Sequence, residues 1–168
     1  MKILTIAIPS YNSMDYMRNC IESLLPGGED VEILIVDDGS KDDTPAIADE
    51  YQEKYPGIVR AIHQENGGHG EAVNAGLRNA TGFFYKVVDS DDWVDAESYQ
   101  KILAFLKEAM KEEEPLDMLL SNYVYEKVGA KHKKVIQYHS ILPENRYFGW
   151  DEIGHFHASQ NILMHSVI

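Results

Sequence analysis

Residues 31–40 read VEILIVDDGS, a short apolar run rich in β-branched side chains that ends in two acids, a glycine and a serine. A run of this length, closed by turn residues, predicts a buried strand. Similar runs recur along the chain, and helix-like stretches separate the first four of them. Such alternation predicts an α/β fold with a mostly parallel sheet and helices on both faces. The predicted strands are residues 3–8, 31–36, 58–63, 83–88, 118–125, 135–138 and 162–168, and the predicted helices are residues 13–25, 44–55, 70–79 and 95–111.

Composition excludes several classes of protein. The 168 residues carry 28 acids and 15 bases, a net charge of −13, which repels nucleic acid. A single cysteine, Cys20, rules out a disulfide framework and a cysteine-rich zinc module. No apolar run approaches the roughly 18 residues of a membrane helix, and the N-terminus does not resemble a signal peptide. A soluble protein in the reducing cytoplasm is therefore the expectation. The length predicts one domain or part of one.

Polar segments follow each of the first four predicted strands. Because the carboxyl ends of parallel strands meet at one edge of a sheet, these segments are expected to lie together there. Ligands of open α/β sheets bind at that edge, where the strand order reverses. The sequence therefore predicts a ligand site built from residues 9–12, 37–40, 66–70 and 89–93.

The last of these segments predicts a metal site. Asp89, Asp91 and Asp92 fall within four positions, so their charges repel one another. A hard divalent cation such as Mg²⁺ or Mn²⁺ relieves that repulsion and binds carboxylates together with substrate phosphates. The alternative is that Asp91, Asp92 and Asp95 only favour the N-terminus of the following helix.

The other segments predict contacts to a polar ligand. Asp37 and Asp38 can accept hydrogen bonds from a ribose or a base N–H, although Asp-Gly is also a common turn. The backbone N–H groups of residues 66–70 can face an anion at a helix N-terminus. Their spacing matches neither the dinucleotide fingerprint nor the P-loop. Tyr11 is placed to stack on a base, or to pack against the protein.

Four segments resemble a known family. IAIPSYN, VEILIVDDGSKDDT, NGGHGEAVNAGLRNATG and VVDSDDW occur in the order found in family 2 glycosyltransferases, which have the nucleotide-diphospho-sugar-binding fold called GT-A. The resemblance covers roughly residues 1–110, and the last motif is similar to the family's DXD metal motif. It implies an inverting glycosyltransferase that moves a sugar from a nucleotide-diphosphate sugar, first of all a UDP-sugar. The implied acceptor is a hydroxyl of a saccharide or a lipid-linked acceptor, as in cell-surface polysaccharide synthesis.

The resemblance also implies roles for individual residues. Pro9, Tyr11 and Asp38 would hold the base, and Asp89 would approach the ribose or the metal. Asp91 would ligate the Mn²⁺ or Mg²⁺ that bridges the diphosphate, and Asp92 carries no assigned role. The predicted substrate-binding residues are Pro9, Ser10, Tyr11, Asn12, Asp38, Gly68, His69, Asn74, Asp89 and Ser90, and the predicted metal ligands are Asp89 and Asp91.

Two departures from the family pattern stand out. Val73 precedes Asn74 where the family often has an arginine, and His69 or Lys86 is a candidate substitute for it. The family's catalytic base follows a later strand, so residues 1–168 are expected to be a single glycosyltransferase domain truncated on its acceptor side. No catalytic residue is therefore predicted. Four candidates in the second half fit surface residues better than a base: Asp151, Glu152, His155 and His157.

Rival functions remain at this stage. A sugar nucleotidyltransferase has a glycine-rich basic loop after its first strand, and residues 10–12 carry none. A nicotinamide-dependent oxidoreductase needs the glycine fingerprint there, which is also absent. A non-catalytic nucleotide-sugar-binding module stays open. Residues 131–134 form a basic patch that fits either a solvated hairpin or peripheral association with the inner face of a membrane.

Overall fold

The structure is a computed structural model that describes residues 1–114, 116–126, 133–139, 142–153 and 166–168. The chain forms two compact units, Met1–Asp117 and Met118–Ile168. Strands and helices alternate in the first unit, as the sequence predicts. Its elements are β1 (Leu4–Ser10), α1 (Met17–Leu24), β2 (Val31–Asp37), α2 (Thr44–Lys54), β3 (Val59–His63), α3 (His69–Asn79), β4 (Phe84–Val87) and α4 (Ala96–Ala109).

The first unit is built on a four-stranded sheet in the order β3-β2-β1-β4, and all its strand pairs are parallel. Every residue of β1 and β2 is buried, which explains why both read as continuous apolar runs. The chain moves outward from β1 to β3 and then returns to β4 on the other side of β1. Because crossovers are right-handed, that return places α3 on the opposite face of the sheet from α1 and α2. The predicted α/β architecture is confirmed.

β1 extends two residues beyond its predicted end. It continues through Pro9 and Ser10, which pair with Val36 and Asp37 of β2. The pairing between β1 and β4 ends at Ala7 and Val87, so Pro9 lies beyond it. The missing N–H of Pro9 therefore interrupts no bond to β4, and the proline does not end the strand.

Two helices differ from their predicted form. α1 begins at Met17 rather than at residue 13, because the carbonyl of Ser13 accepts from the N–H groups of Tyr16 and Met17 in a preceding turn. In α4 the sequence predicts an apolar stripe of Ile102, Phe105, Leu106 and Met110, but Phe105 is exposed. The buried face of α4 consists of Tyr99, Leu103, Leu106 and Ala109.

The second unit contains an antiparallel pair, β5 (Tyr123–Tyr125) and β6 (Lys134–Ile136), which confirms the predicted hairpin strands in shortened form. The predicted turn falls mostly on residues 127–132, outside the described residues. Of the predicted last strand only residues 166–168 are described, and Val167 bridges Leu120. A search of the described residues finds no helix with the length and apolar character needed to cross a membrane.

His63, the last residue of β3, joins three elements of the first unit. Its Nδ1 lies 3.0 Å from Asp37 Oδ2 at the end of β2, and its Nε2 lies 3.2 Å from Asp49 Oδ1 on α2. Both ring nitrogens can donate only when the imidazole is protonated. The hydrogen bond to Asp37 raises the pKa of His63, burial opposes that change, and the bond to Asp49 adds to it.

The raised pKa of His63 predicts how stability changes with pH. The stabilisation is complete below the ordinary histidine pKa of about 6.5 and is lost as the pH rises through the folded-state pKa. We expect wild type to exceed His63→Gln in unfolding free energy at pH 6, with a difference that shrinks towards pH 9. Urea denaturation across this range measures it, with His139→Gln as the matched control. A gap that does not change with pH would contradict the two-carboxylate contact.

Candidate functional site

The four predicted segments lie at the carboxyl edge of the sheet, because all four strands run parallel. The strand order reverses between β1 and β4, so the site expected for an open α/β sheet lies beyond the ends of these two strands. We call the segments that follow the four strands the rim loops: residues 11–16, 38–43, 64–68 and 88–95. Hydrogen bonds link these loops to one another, and His69 at the start of α3 approaches the fourth loop.

Asn12 and Ser40 link the first rim loop to the second. The Asn12 N–H donates to Ser40 Oγ at 3.0 Å, and the Lys41 N–H donates to Asn12 Oδ1 at 2.8 Å. Asn12 has a φ of 49°, a left-handed conformation that asparagine tolerates better than most residues. The backbone and the side chain of Asn12 therefore both hold the first rim loop against the second.

Ser13 links the first rim loop to the fourth. Its Oγ lies 2.8 Å from Ser90 Oγ and accepts from the Tyr11 N–H at 3.2 Å. The sequence analysis places Ser13 at the start of the predicted helix 13–25 and so misses this role. Tyr11 is 52% exposed, so its ring is available to a ligand.

Asp38 links the second rim loop to the third. Its Oδ1 accepts from Gln64 Nε2 at 2.7 Å and from the Gly67 N–H at 2.9 Å, and its Oδ2 accepts from the Gly68 N–H at 2.8 Å. Burial favours a higher pKa for Asp38, but the hydrogen bonds from Gly67, Gln64 and Gly68 outweigh it and lower the pKa. Asp38 is thus an ionised carboxylate that holds the glycine-rich loop in place.

The fourth rim loop carries the predicted metal ligands. The Asp92 N–H donates to the Asp89 carbonyl at 2.9 Å, which forms a turn through Ser90 and Asp91. Asp89 Oδ1 lies 3.8 Å from His69 Nε2, at the start of α3. Asp91 is exposed on this turn. Asp95, which the sequence alternatively placed at the N-terminus of the helix, does cap α4. Its Oδ1 accepts a hydrogen bond from the Ser98 N–H.

A lysine lies on the strand that leads into this turn. Lys86 is paired with Ile6 in the sheet and is half-buried. Burial lowers the pKa of Lys86 to about 8, while the negative charge of Asp92 opposes the change. The partly buried Lys86 therefore interacts electrostatically with Asp92. Its positive charge offsets part of the repulsion among the aspartates of the fourth rim loop.

The residues fit a divalent metal only in part. Among the described residues no three histidine, cysteine, aspartate or glutamate side chains come together as a metal cluster. Asp89 and Asp91 supply two carboxylates on one turn. Magnesium and manganese are commonly held by one or two carboxylates, with water and substrate phosphates completing the coordination. The donor set suits a site that the substrate completes.

The remaining predicted site residues occupy different environments. Pro9 and Ser10 are buried in β1, and the Ser10 hydroxyl donates to the Ile8 carbonyl at 3.2 Å. Gly68 and His69 begin α3 at the rim, whereas Asn74 lies farther along the helix and is exposed. Among the described residues Asn74 makes no hydrogen bond to a rim loop. The contacts of these residues with a substrate stay predictions.

Gln64 was absent from the predicted site residues. It directly follows β3 and precedes the glycine-rich stretch, so the strand-end rule would have included it had the segment begun two residues earlier. No sequence pattern, however, indicates its contact with Asp38.

Removal of the Asp38 carboxylate should loosen the glycine-rich loop. Asp38→Ala leaves the N–H groups of Gly67 and Gly68 without their acceptor, at a cost of about 1–3 kcal/mol in unfolding free energy. Hydrogen exchange of these two amides should speed up accordingly. The exposed Asp15 provides a charge-matched control, and Asp15→Ala should change the stability by less than about 0.5 kcal/mol. Unchanged exchange at Gly67 and Gly68 would contradict the assigned role.

The chain is similar to known glycosyltransferases. EpsH of Bacillus subtilis, named as a glycosyltransferase, is 36% identical over 124 residues, which cover 73% of this chain and 34% of EpsH. The chondroitin synthase of Escherichia coli is 39% identical over 102 residues, or 60% of this chain and 15% of that protein. The crystal structure of Staphylococcus aureus TarS 1–349 in complex with UDP-GlcNAc superposes with a TM-score of 0.59 at 33% identity, covering 71% of this chain and 34% of the other.

This chain spans about a third or less of the length of these three proteins. The family model for Glycosyl transferase family 2 nevertheless matches residues 5–165, nearly the whole chain. The parallel sheet with helices on both faces agrees with the GT-A fold of such enzymes. The chain therefore belongs to glycosyl transferase family 2.

Proposed function

We propose that this chain forms the donor-binding part of an inverting glycosyltransferase. The donor is a nucleotide-diphosphate sugar, with UDP as the nucleotide, and the acceptor is a hydroxyl of a saccharide or a lipid-linked saccharide. One observation carries the proposal: the loops after all four parallel strands are linked at the point where the strand order reverses. UDP as the nucleotide is supported by the similarity to TarS, whose crystals contain UDP-GlcNAc.

The nucleoside binds on the side of the first three rim loops. Tyr11 offers an exposed ring for stacking on the base, at the end of the buried strand that contains Pro9 and Ser10. Asp38 positions the glycine-rich loop below the ligand. Base stacking on an aromatic side chain is worth about 1–3 kcal/mol, enough to orient the nucleotide without charged contacts to the base.

The diphosphate binds between α3 and the fourth rim loop. The first N–H groups of a helix have no acceptor within the helix, so the start of α3 at His69 and Gly70 can donate to phosphate oxygens. Asp89 and Asp91 would hold a Mn²⁺ or Mg²⁺ ion. Such an ion, when bound, neutralises charge on the departing diphosphate.

The reaction is a single displacement at the anomeric carbon. The acceptor oxygen attacks the face opposite the nucleotide diphosphate and forms the new C–O bond. The bond to the diphosphate breaks, its electron pair leaves with the nucleotide diphosphate, and a base takes the hydroxyl proton. Among the candidates in the second unit, Glu152 pairs with Arg146 at 2.6 Å, and that hydrogen bond lowers the pKa of Glu152. Glu152 is therefore a weak base.

The base is not assigned to a residue of this chain. His155 and His157 lie outside the described residues. So do Lys131 and His132 of the predicted basic patch, while Lys133 pairs with Glu126 at 2.7 Å. A cytoplasmic location, with association at the inner face of a membrane, stays a prediction.

The metal assignment predicts a strong effect of Asp91→Ala. Loss of this carboxylate should abolish manganese-dependent binding of UDP, because Asp91 is one of the two side chains proposed to hold the ion against the diphosphate. Isothermal titration calorimetry with and without manganese measures the effect. The exposed Glu112 offers a charge-matched control, and Glu112→Ala should bind like wild type. Binding by Asp91→Ala that equals wild type would refute the assignment.

Product analysis separates the proposed enzyme from its rivals. Incubation with a panel of UDP-sugars and manganese should release UDP, which chromatography detects. Tight binding of a UDP-sugar without release of UDP would indicate that residues 1–168 bind the donor but do not transfer the sugar by themselves. A sugar nucleotidyltransferase would release no UDP and would form a nucleotide sugar from a nucleoside triphosphate and a sugar phosphate.

A further inference from the structure

The turn that carries the proposed metal ligands rests against α1. We call residues 89–92 the acidic turn. Cys20 and Ser23 lie three positions apart on α1 and so face the same side of the helix. The Cys20 Sγ donates to the Asp89 carbonyl at 3.6 Å, and the Ser23 Oγ accepts from the Val94 N–H at 3.2 Å. The helix α1 therefore contacts the chain at the start of the acidic turn and again just beyond its end.

The acidic turn needs contacts from outside itself. Asp89 and Asp91 are the proposed ligands, and Asp92 follows directly. Like charges at this spacing repel, and the repulsion favours conformations in which the carboxylates stand farther apart. The Asp92 N–H donates to the Asp89 carbonyl at 2.9 Å, a contact that closes the turn but does not anchor it to the rest of the fold. Contacts with α1 therefore help to keep the two ligands in one arrangement before an ion binds.

The hydroxyl of Ser23 has a fixed direction. It donates to the Cys20 carbonyl, one turn earlier on α1, at 2.7 Å. A hydroxyl has one hydrogen, so this donation leaves its lone pairs for the Val94 N–H. The Ser23 side chain is half-buried, which limits the competition of water for the same donor. The contact with Val94 is therefore a defined link between α1 and the fourth rim loop.

Ser23 is the contact whose loss can be separated from other effects. Ser13 also reaches the acidic turn, through Ser90, but it lies in the first rim loop and accepts from the Tyr11 N–H. Its loss would disturb the proposed base site as well. Cys20 is fully buried, so a change there alters the packing of the core. Ser23 lies outside the rim loops and outside the fully buried core.

We propose that Ser23 is a positioning residue for the metal-binding turn. By holding Val94, it keeps Asp89 and Asp91 in the arrangement that an ion and a diphosphate complete. This inference rests on the proposed function, in which these two carboxylates hold Mn²⁺ or Mg²⁺. Ligands that are ordered before binding lose little conformational entropy when the ion binds. Residues that support metal ligands in this way typically change metal affinity by about 10- to 100-fold.

The test measures how strongly the protein binds UDP together with manganese. UDP is titrated by calorimetry, at a fixed manganese concentration, into wild type, Ser23→Ala and Ser23→Thr. Ser23→Ala should weaken binding about 10-fold. Ser23→Thr keeps the hydroxyl and should bind like wild type, as should Asn19→Ala, a change of an exposed residue on the same helix. A higher manganese concentration should close the gap between Ser23→Ala and wild type, because a weakened metal site fills again when more metal is present.

A second measurement needs no ligand. In the metal-free protein, hydrogen exchange of the Val94 amide should be faster in Ser23→Ala than in wild type, because its acceptor is gone. Alanine is favoured in helices, so Ser23→Ala should fold, and thermal unfolding checks this. Should it not fold, Ser23→Val replaces it, since valine has the shape of threonine without the hydroxyl.

Each other outcome overturns a specific claim. Ser23→Ala that binds UDP with manganese like wild type refutes the role of Ser23 and leaves the proposed function standing. A gap that persists at every manganese concentration, or an equal loss in Ser23→Thr, also refutes the role, because a general weakening of the fold would produce either. Unchanged exchange at Val94 refutes the contact on which the role depends. Wild type that does not bind UDP in the presence of manganese refutes the proposed donor site and this inference together.

Discussion

The carboxylate of Asp38 is the contact on which the rest of the site depends. It comes directly after β2, whose residues are all buried, and its three donors all belong to the loop that follows β3. A glycine-rich loop loses much conformational freedom when it folds. The buried charge offsets that loss, because a desolvated carboxylate must keep its hydrogen bonds. The Asp38 contacts thus fix the glycine-rich loop and place the start of α3 at the rim.

The other linkages extend this order around the rim. Asn12 joins the first loop to the second, the Ser13–Ser90 contact joins the first to the fourth, and His69 approaches Asp89 between the third and the fourth. The first and second loops therefore each contact two others, and the start of α3 approaches the fourth. The acidic turn at the end of β4 is the costly part of this arrangement. Part of that cost is offset by Lys86, a cation kept half-buried on the same strand.

The sequence predicts the sheet well and the hydrogen-bond pattern of the site poorly. Apolar runs of β-branched residues locate β1 to β4, because burial on both faces leaves a continuous signal in the chain. The start of α1 and the buried face of α4 depend on tertiary contacts, and in both cases the structure differs from the prediction. The rim positions follow from the strand-end rule alone. The partners of Asp38 are 26 to 30 residues away, and no local pattern encodes a contact over that separation. The contacts of Ser13 with Ser90 and of Gln64 with Asp38 could not be predicted for the same reason.

The only cysteine of the chain lies beneath the acidic turn that follows β4. Cys20 on α1 is fully buried, and its Sγ donates to the Asp89 carbonyl at 3.6 Å. Burial raises the pKa of this thiol, and the charges of Asp92, Asp89 and Asp91 raise it further. The thiolate is the form that attacks alkylating reagents, so the buried, protonated thiol resists them. Any event that lifts the acidic turn away from α1 uncovers this sulfur, which makes the protein's own thiol a chemical reporter of loop opening, with no need for an introduced label.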